Sequence, residues 1–230
     1  MLEEIFNKRR QIRFFDQEVI PEQSTIQSIL KKTYELVPSK QNMIPYKVHI
    51  LGPEYTQIKD RLYFLASKQE LPATFEEQRL KKTYRGNTQL RAPYVLLFEK
   101  RCPSPNQYIL DRIEQGHNYP ECDPKKHNDF KTGPAIEIGM FISILAGLCA
   151  EQDIDISYTQ CLPDVRKKNG EKINPFKDYN INFIDNYVFI AISLGYRNRN
   201  NEYKDYILSR DTNKGENKPP ISNILRWHND

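Results

Sequence analysis

The residues with the clearest chemical potential stand near the start of the chain, in the stretch NKRRQIRFFD. It holds three arginines, Arg9, Arg10 and Arg13, which are followed at once by Phe14 and Phe15. Arginine presents a planar fork of donors that matches the oxygens of a phosphate or a carboxylate. Such a cluster can also be a solvated helix end, where cations favour the negative end of the helix dipole. The segment therefore indicates either an anion site or an exposed basic face.

The charge balance limits which anion this could be. The 230 residues carry 34 basic and 30 acidic side chains, for a net charge of +4. A dedicated nucleic-acid binder usually has a stronger basic excess, so we expect no nucleic-acid partner. The length fits one large domain or two small ones. Because no clean linker interrupts the chain, we expect a single domain over residues 1–230, with residues 197–230 as an extended C-terminal arm.

Targeting and redox signals are weak in this sequence. It has no apolar run of 18 or more residues, and the opening MLEEIFNKRR lacks the basic-then-apolar order of a signal peptide. The four cysteines are widely spaced and form no CxxC pair, so neither a zinc ribbon nor a thioredoxin-type motif is indicated. We therefore expect a cytoplasmic protein with free thiols and no membrane partner.

The elements that position these side chains follow from hydrophobic periodicity and turn residues. Helices and strands are interspersed without regular βαβ alternation, which favours an α+β fold with a mixed sheet flanked by helices. Residues 102–130 are polar and rich in Pro, Asn and His, so we expect a long excursion with at most one helix. The predicted helices are 2–8, 22–36, 54–69 and 134–152, and the predicted strands are 47–51, 92–100, 155–162 and 187–194.

The predicted helix over residues 134–152, PAIEIGMFISILAGLCAEQ, is apolar on nearly every side. A helix of this kind is expected to be buried. Its small residues would let another backbone come close, so it is either the core helix of a monomer or the centre of a dimer interface. The small residues are Gly139, Ser143, Ala146, Gly147 and Ala150.

Other chemistries find little support. The sequence has no GxGxxG, GxxxxGK[ST], HExxH or GxSxG motif. Glu114, His117, Cys122 and His127 share one loop, but their spacing fits no common zinc pattern, so we expect no metal. Cys161 has no sequence-level partner for nucleophilic catalysis, and an isolated cysteine is most often a small buried apolar residue.

The order of the motifs resembles the nitroreductase family of FMN-dependent flavoproteins. RRQIRFF resembles the first family motif, roughly Arg-Arg-Ser-x-Arg-x-Phe, and PSKQNMIPY resembles the second, roughly Pro-Ser-x-x-Asn-x-Gln-Pro-Trp/Tyr. The stretches GNTQLRAPYVLLFEK, EIGMFISILAGLCAEQ, ISYTQC and FIAISLGY are similar to later family segments, so the resemblance runs from Leu2 to about Asp211. Three positions depart from the pattern: Gln11 replaces serine, Ile44 replaces glutamine and Cys161 replaces a frequent glycine.

The resemblance implies a mainly antiparallel sheet, a long buried dimer-core helix and an FMN site in which the arginines bind the anionic parts of the cofactor. Arg9 and Arg210 would hold the phosphate, with Arg10 and Gln11 near the phosphate or the ribityl chain. Arg13 would reach the N1/O2 edge of the ring, where a fixed cation stabilises the reduced flavin and so serves catalysis.

The resemblance also implies a homodimer with FMN at the interface. The second motif would approach FMN from the partner subunit, and other segments would line the ring within the chain. The second-motif residues are Pro38, Ser39, Lys40, Gln41 and Asn42. The remaining expected contacts are Asn87 or Thr88 at the pyrimidine edge, and the backbone of Tyr158, Thr159, Gln160 and Cys161 along the ring.

The implied activity is that of an FMN-dependent oxidoreductase. NAD(P)H would reduce the flavin, and an electron-poor small-molecule acceptor of the nitro or quinone type would be reduced afterwards, in a ping-pong sequence. Two alternatives stay open. One is a flavoenzyme of the same fold that performs dehalogenation, oxidation or flavin fragmentation, and the other is a phospholigand-binding protein without redox activity.

Overall fold

The computed structural model describes residues 3–5, 12–67, 87–163 and 174–198. In these ranges short helical turns connect four longer helices and four strands. The helices are α1 (Gln23–Leu36), α2 (Thr56–Ser67), α3 (Gln107–Glu114) and α4 (Thr132–Glu151), and the strands are β1 (Tyr46–Leu51), β2 (Tyr94–Lys100), β3 (Asp155–Thr159) and β4 (Val188–Gly195).

The four strands form one sheet in the order β1-β2-β4-β3, and each neighbouring pair is antiparallel. All seven residues of β2 are buried, as its continuous apolar run predicts. Alternate side chains of a strand point to opposite faces, so β2 serves two cores. Val95 and Leu97 pack in the core that includes α2, whereas Leu96 and Phe98 pack in the core that includes α1 and α4.

Within one chain, helix α4 is buried on one face only, although its sequence is apolar on nearly every side. Leu145 and Cys149 pack into the core, but Ile136 is 60% exposed, and Gly139 and Ser143 are also exposed. By length and composition α4 could cross a membrane, with a mean hydropathy of 1.7. Half of that apolar window is buried inside the protein, and the core helix of a soluble protein passes the same test.

The start of the described chain pairs with the segment that follows β4. Phe15 and Arg197 form an antiparallel bridge, the Asp16 amide donates to Tyr196 O at 2.8 Å, and the Asn198 amide donates to Phe14 O at 3.1 Å. The predicted C-terminal arm began at residue 197, but residues 197 and 198 belong to this pairing. Residues 199–230 of the arm lie outside the described residues.

The α+β class is confirmed, and each of the four predicted strands is present. The sheet of the described residues is wholly antiparallel where a mixed, mainly antiparallel one was expected. The excursion over residues 102–130 holds one α-helix, α3, as predicted, and two single helical turns, Pro120–Cys122 and His127–Asp129. The predicted helix at 2–8 is helical at residues 3–5, and the rest of it lies outside the described residues.

Candidate functional site

A cavity of about 520 Å³ lies beside the N-terminal segment. Its volume is within the range of about 300–1,000 Å³ that is typical of small-molecule sites. Two aromatic rings line it together with cationic and polar side chains. The lining residues are Arg13, Phe14, Phe15 and Gln17 from the N-terminal segment, Thr56, Lys59 and Asp60 from α2, and Thr88 and Arg91 from the turn before β2.

Gln89 fixes the side chain of Arg13 at this cavity. Its Oε1 accepts a hydrogen bond from Arg13 Nη1 at 3.1 Å. Its Nε2 donates to Thr159 Oγ1 at 2.6 Å, to Tyr158 O at 3.3 Å and to Asn87 Oδ1 at 3.2 Å. Gln89 is 1% exposed, so these bonds form away from competing water. The amide therefore connects the N-terminal segment, the turn before β2 and the end of β3.

Two further contacts position the backbone around Arg13. Thr88 Oγ1 donates to Arg13 O at 2.9 Å. The Phe15 ring lies over Gly195 at the end of β4, where an added Cβ would be 2.9 Å from Phe15 Cδ1 and 2.9 Å from Pro93 Cδ. Only glycine leaves room for this approach, which keeps the segment that carries Arg13 against the sheet.

The cavity has an excess of positive charge. Three cationic side chains line it against one carboxylate, that of Asp60, which pairs with Arg91 at 2.6 Å. Lys59 is 3% exposed and donates to Ala92 O and Pro93 O, each at 2.9 Å. Burial lowers the pKa of Lys59 to about 8. At neutral pH the cavity therefore suits an anionic ligand.

The second motif lies at the other end of β2. Tyr46, the last residue of the motif, pairs with Lys100 at the end of β2, whereas the Gln89 turn precedes Tyr94 at its start. Seven residues of strand separate these ends by roughly 20 Å. Within one chain, the two predicted halves of the site are therefore apart.

The backbone of the second motif is strained. Gln41, Asn42 and Ile44 have φ angles of 54°, 55° and 47°. The left-handed region is uncommon for residues other than glycine, and a β-branched residue there is an outlier. Such conformations cost about 1–3 kcal/mol each and cluster at functional sites. Arg101 helps to hold this loop, because its side chain donates to Met43 O at 2.9 Å and to Ile44 O at 2.7 Å.

Two buried acceptors at this loop have no hydrogen-bond donor in the described part of the chain. Glu137 of α4 accepts from the Lys40 amide through Oε1 at 3.0 Å, but its Oε2 has no partner. Gln41 O accepts from Asn106 Nδ2 at 2.5 Å, while Gln41 Oε1 is also without a partner. Buried acceptors are normally satisfied, so these atoms suit donors from a ligand or another chain.

The structure thus brings together five of the predicted site residues and places five others in a separate loop. Gln160 and Cys161 follow Thr159, the last residue of β3, and both are exposed. Gln89 was not predicted as a site residue. The sequence signal for it is its position directly after the candidates Asn87 and Thr88. The residues brought together are Arg13, Asn87, Thr88, Tyr158 and Thr159. The separate loop holds Pro38, Ser39, Lys40, Gln41 and Asn42, and Arg9, Arg10, Gln11 and Arg210 lie outside the described residues.

Metal-ligating residues of the usual kinds do not converge. In the ranges that the structure describes, no three His, Cys, Asp or Glu side chains form a group that could hold a metal ion. Cys102, Cys122, Cys149 and Cys161 are free thiols.

Solved structures define the fold class. A Staphylococcus epidermidis protein described as a proposed NAD(P)H:FMN oxidoreductase matches with a TM-score of 0.61 and 14% identity, over 99% of this chain and 96% of that chain. A Desulfitobacterium hafniense nitroreductase with bound FMN has a TM-score of 0.57 and 14% identity, over 99% and 100% of the two chains. An iodotyrosine deiodinase bound to FMN and 3-iodo-L-tyrosine has a TM-score of 0.55 and 17% identity, over 86% and 90%.

At these identities the likeness shows a nitroreductase-like fold. The family follows from the sequence model of the nitroreductase family, which matches residues 7–178 and so covers well over half of the chain. The chain belongs to the nitroreductase family. No curated protein matches it.

Proposed function

We propose that the chain is an FMN-dependent oxidoreductase that uses NAD(P)H as reductant and works as a homodimer in the cytoplasm. The observation that carries the proposal is the position of Arg13. Its guanidinium is held by the buried Gln89 at 3.1 Å beside a cavity rich in cations. The chain belongs to the nitroreductase family, and a cavity lined by cations and aromatic rings suits an anionic, aromatic cofactor such as FMN.

The side chains present fit FMN. When bound, FMN would accept a hydride from NAD(P)H and, after release of NAD(P)⁺, pass reducing equivalents to an electron-poor acceptor of the nitro or quinone type. Arg13 would place a fixed positive charge at the N1/O2 edge of the ring, where negative charge accumulates. Asn87 and Thr88 would face the pyrimidine edge, and Arg9 and Arg210 would bind the phosphate.

The remaining groups would orient the ring. The backbone of residues 158–161 would line one side of it, with Arg10 and Gln11 near the phosphate or the ribityl chain. The unpartnered Gln41 Oε1 would accept a hydrogen bond in the assembled site. The strained backbone from Gln41 to Ile44 supports a binding role for this loop, because such strain persists mainly where function requires it.

A dimer would unite the two halves of the site. Within one chain, the loop at residues 38–42 lies roughly 20 Å along β2 from the Gln89 turn. A loop supplied by a second copy would allow both the loop and the Gln89 turn to contact one cofactor. The exposed face of α4, with Ile136, Gly139 and Ser143, offers an apolar surface of small residues for close helix packing. We propose this face as the dimer interface.

Reductive dehalogenation is the second candidate, because the same fold holds the iodotyrosine deiodinase. Release of halide from a halogenated phenol, with no reduction of nitro compounds or quinones, would favour it over the first.

The test of the first proposal is the Arg13→Ala variant. We expect it to retain part of the FMN after desalting but to lose about 100-fold in the anaerobic rate of flavin reduction by NAD(P)H, because a preorganised charge is missing. Arg61→Ala is the matched control, since among the described residues Arg61 makes a single hydrogen bond, a long one of 3.5 Å to Asn180 O. Full FMN occupancy with an unchanged rate in Arg13→Ala would remove the assigned role.

A further inference from the structure

Sulfur-bearing side chains from three separate segments lie in one region near the loop before β1, and the sulfur atoms of two of them are in contact. Met43 belongs to that loop, Cys102 follows β2, and Cys122 ends the helical turn Pro120–Cys122. Cys122 Sγ lies 3.6 Å from Met43 Sδ. Cys102 Sγ lies 3.9 Å from Glu121 O, the carbonyl of the peptide that joins Glu121 to Cys122. Two thiols and a thioether therefore share one small region.

This region is enclosed and held in place. Met43 is 4% exposed, and the two thiols are half-buried. Arg101 donates to Met43 O at 2.9 Å, which fixes the backbone that carries the thioether. A cavity of about 170 Å³ adjoins the cluster and is lined by Met43, Pro103 and Glu121 among others, so a small ion has space to approach.

We propose that Met43, Cys102 and Cys122 form a binding site for copper(I). Thiolate and thioether ligands are soft and select Cu(I) over harder ions, and a thioether in the set disfavours zinc. With metal–sulfur bonds of about 2.3 Å and trigonal angles, two sulfur ligands stand about 4 Å apart. The separation of 3.6 Å between Cys122 and Met43 is close to that value.

Binding would replace two protons by one metal ion, without electron transfer. Cu⁺ and two thiols give one complex with a net charge of −1 and two released protons, while Met43 donates a neutral lone pair. Each thiol loses its proton when the metal binds, because the thiolate is the metal ligand. The adjoining cavity is lined by Lys40, Lys100 and Arg101 and also by two carboxylates, Glu121 and Glu137, of which Glu121 pairs with Lys40 at 2.9 Å.

Neither Arg13 nor Gln89 takes part in this copper site. Met43, however, follows Asn42 in the loop that the proposed dimer would bring to the cofactor.

The experiment is a competition for Cu(I) between the reduced full-length chain and a chromogenic Cu(I) chelator, under anaerobic conditions. A prior thiol assay must count four free thiols. We expect one Cu(I) per chain and two protons released per metal in weak buffer. Cys102→Ser and Cys122→Ser should each weaken binding by at least about 100-fold, and Met43→Leu, which conserves volume, by about 10-fold.

Cys161→Ser and Cys149→Ala are the matched controls and should bind copper as the wild type does. Thermal melting shows that each variant is folded before it is compared. The proposal is overturned if the wild type yields all its copper to the chelator, if either cluster variant binds as tightly as the wild type, or if no protons are released. A Cys102–Cys122 disulfide that resists reduction would overturn it as well.

Discussion

At the residue scale, Gln89 determines where the charge of Arg13 is held. The Gln89→Leu variant keeps a similar volume but removes the acceptor for Arg13 Nη1 and the donor to Thr159 Oγ1. A hydrogen bond of this kind contributes about 1 kcal/mol, and more to a charged group. We expect FMN affinity to fall about 10-fold or more, measured by fluorescence titration.

The matched control for this variant is Gln107→Leu, because Gln107 is exposed on α3 and, within the described ranges, its side chain bonds to Asp111 of the same helix alone. Equal FMN affinity in Gln89→Leu and the wild type would show that Arg13 is held by other contacts.

A second residue-scale prediction concerns Gly195. In Gly195→Ala the new methyl group would stand 2.9 Å from both Phe15 and Pro93, so one of them must move. Overpacking of this kind costs about 1–3 kcal/mol, which urea unfolding monitored by circular dichroism would measure. Gly133→Ala is the control, since in the part of the chain that the structure describes nothing beyond its chain neighbours and its own helix backbone lies within 4 Å of the added Cβ. An unchanged urea midpoint for Gly195→Ala would contradict the close approach described above.

At the scale of elements, Glu99 connects β1, β2 and the turn before β4. Its buried carboxylate accepts from His49 Nε2 at 2.6 Å, from Lys47 Nζ at 3.0 Å, and from the amides of Asp185 and Asn186 at 2.9 and 2.5 Å. Burial acts to raise the pKa of Glu99, but the hydrogen bonds from His49, Lys47 and the Asp185 amide outweigh it, so the pKa is lowered.

The pH dependence follows from the direction of that shift. Since the folded-state pKa lies below the unfolded value of about 4.3, the carboxylate stabilises the fold above that pH, and the stabilisation is lost as pH falls through the folded pKa. Glu99→Gln should lower the free energy of unfolding at pH 7 by about 3 kcal/mol, and the difference from wild type should shrink in acid. A difference that is absent at pH 7, or constant down to pH 3, would refute this role for Glu99.

The elements were more predictable than the contacts between them. Strand β2 is an apolar run and α4 has helical length and composition, so each carries its own local signal. The bonds of Gln89 join residues about 70 positions apart along the chain, and no periodicity marks a buried amide with such partners. The left-handed backbone at Ile44 was not predictable from the sequence either, because β-branched residues disfavour positive φ angles. Arg13 was predictable only because a family motif contains it.

At the scale of the whole molecule, we propose that each FMN site combines residues from two copies of the chain. Arg13→Ala homodimers would have two sites without Arg13, and Asn42→Gly homodimers two sites without Asn42. Glycine accepts the left-handed backbone at position 42, so this variant removes the side chain with little added strain. After subunit exchange, each mixed dimer would contain one intact site and one doubly altered site.

Equal mixing makes half of the dimers mixed, so about a quarter of the sites would be intact. We expect reductase activity to recover towards about a quarter of the wild-type value. Affinity-tagged chains show whether mixed dimers form. If they form while activity stays at the level of the separate variants, then Arg13 and Asn42 act in one site from the same chain, or only one of the two residues contributes to activity.

The absorbance spectrum shows whether this chain is a redox flavoprotein, as we propose. The purified protein is saturated with FMN, desalted and mixed with NADH or NADPH without oxygen. We expect a retained flavin band near ~450 nm that bleaches on addition of the reductant. A colourless protein that fails to retain FMN would contradict it, and the arginines at the N-terminus would then serve another anion.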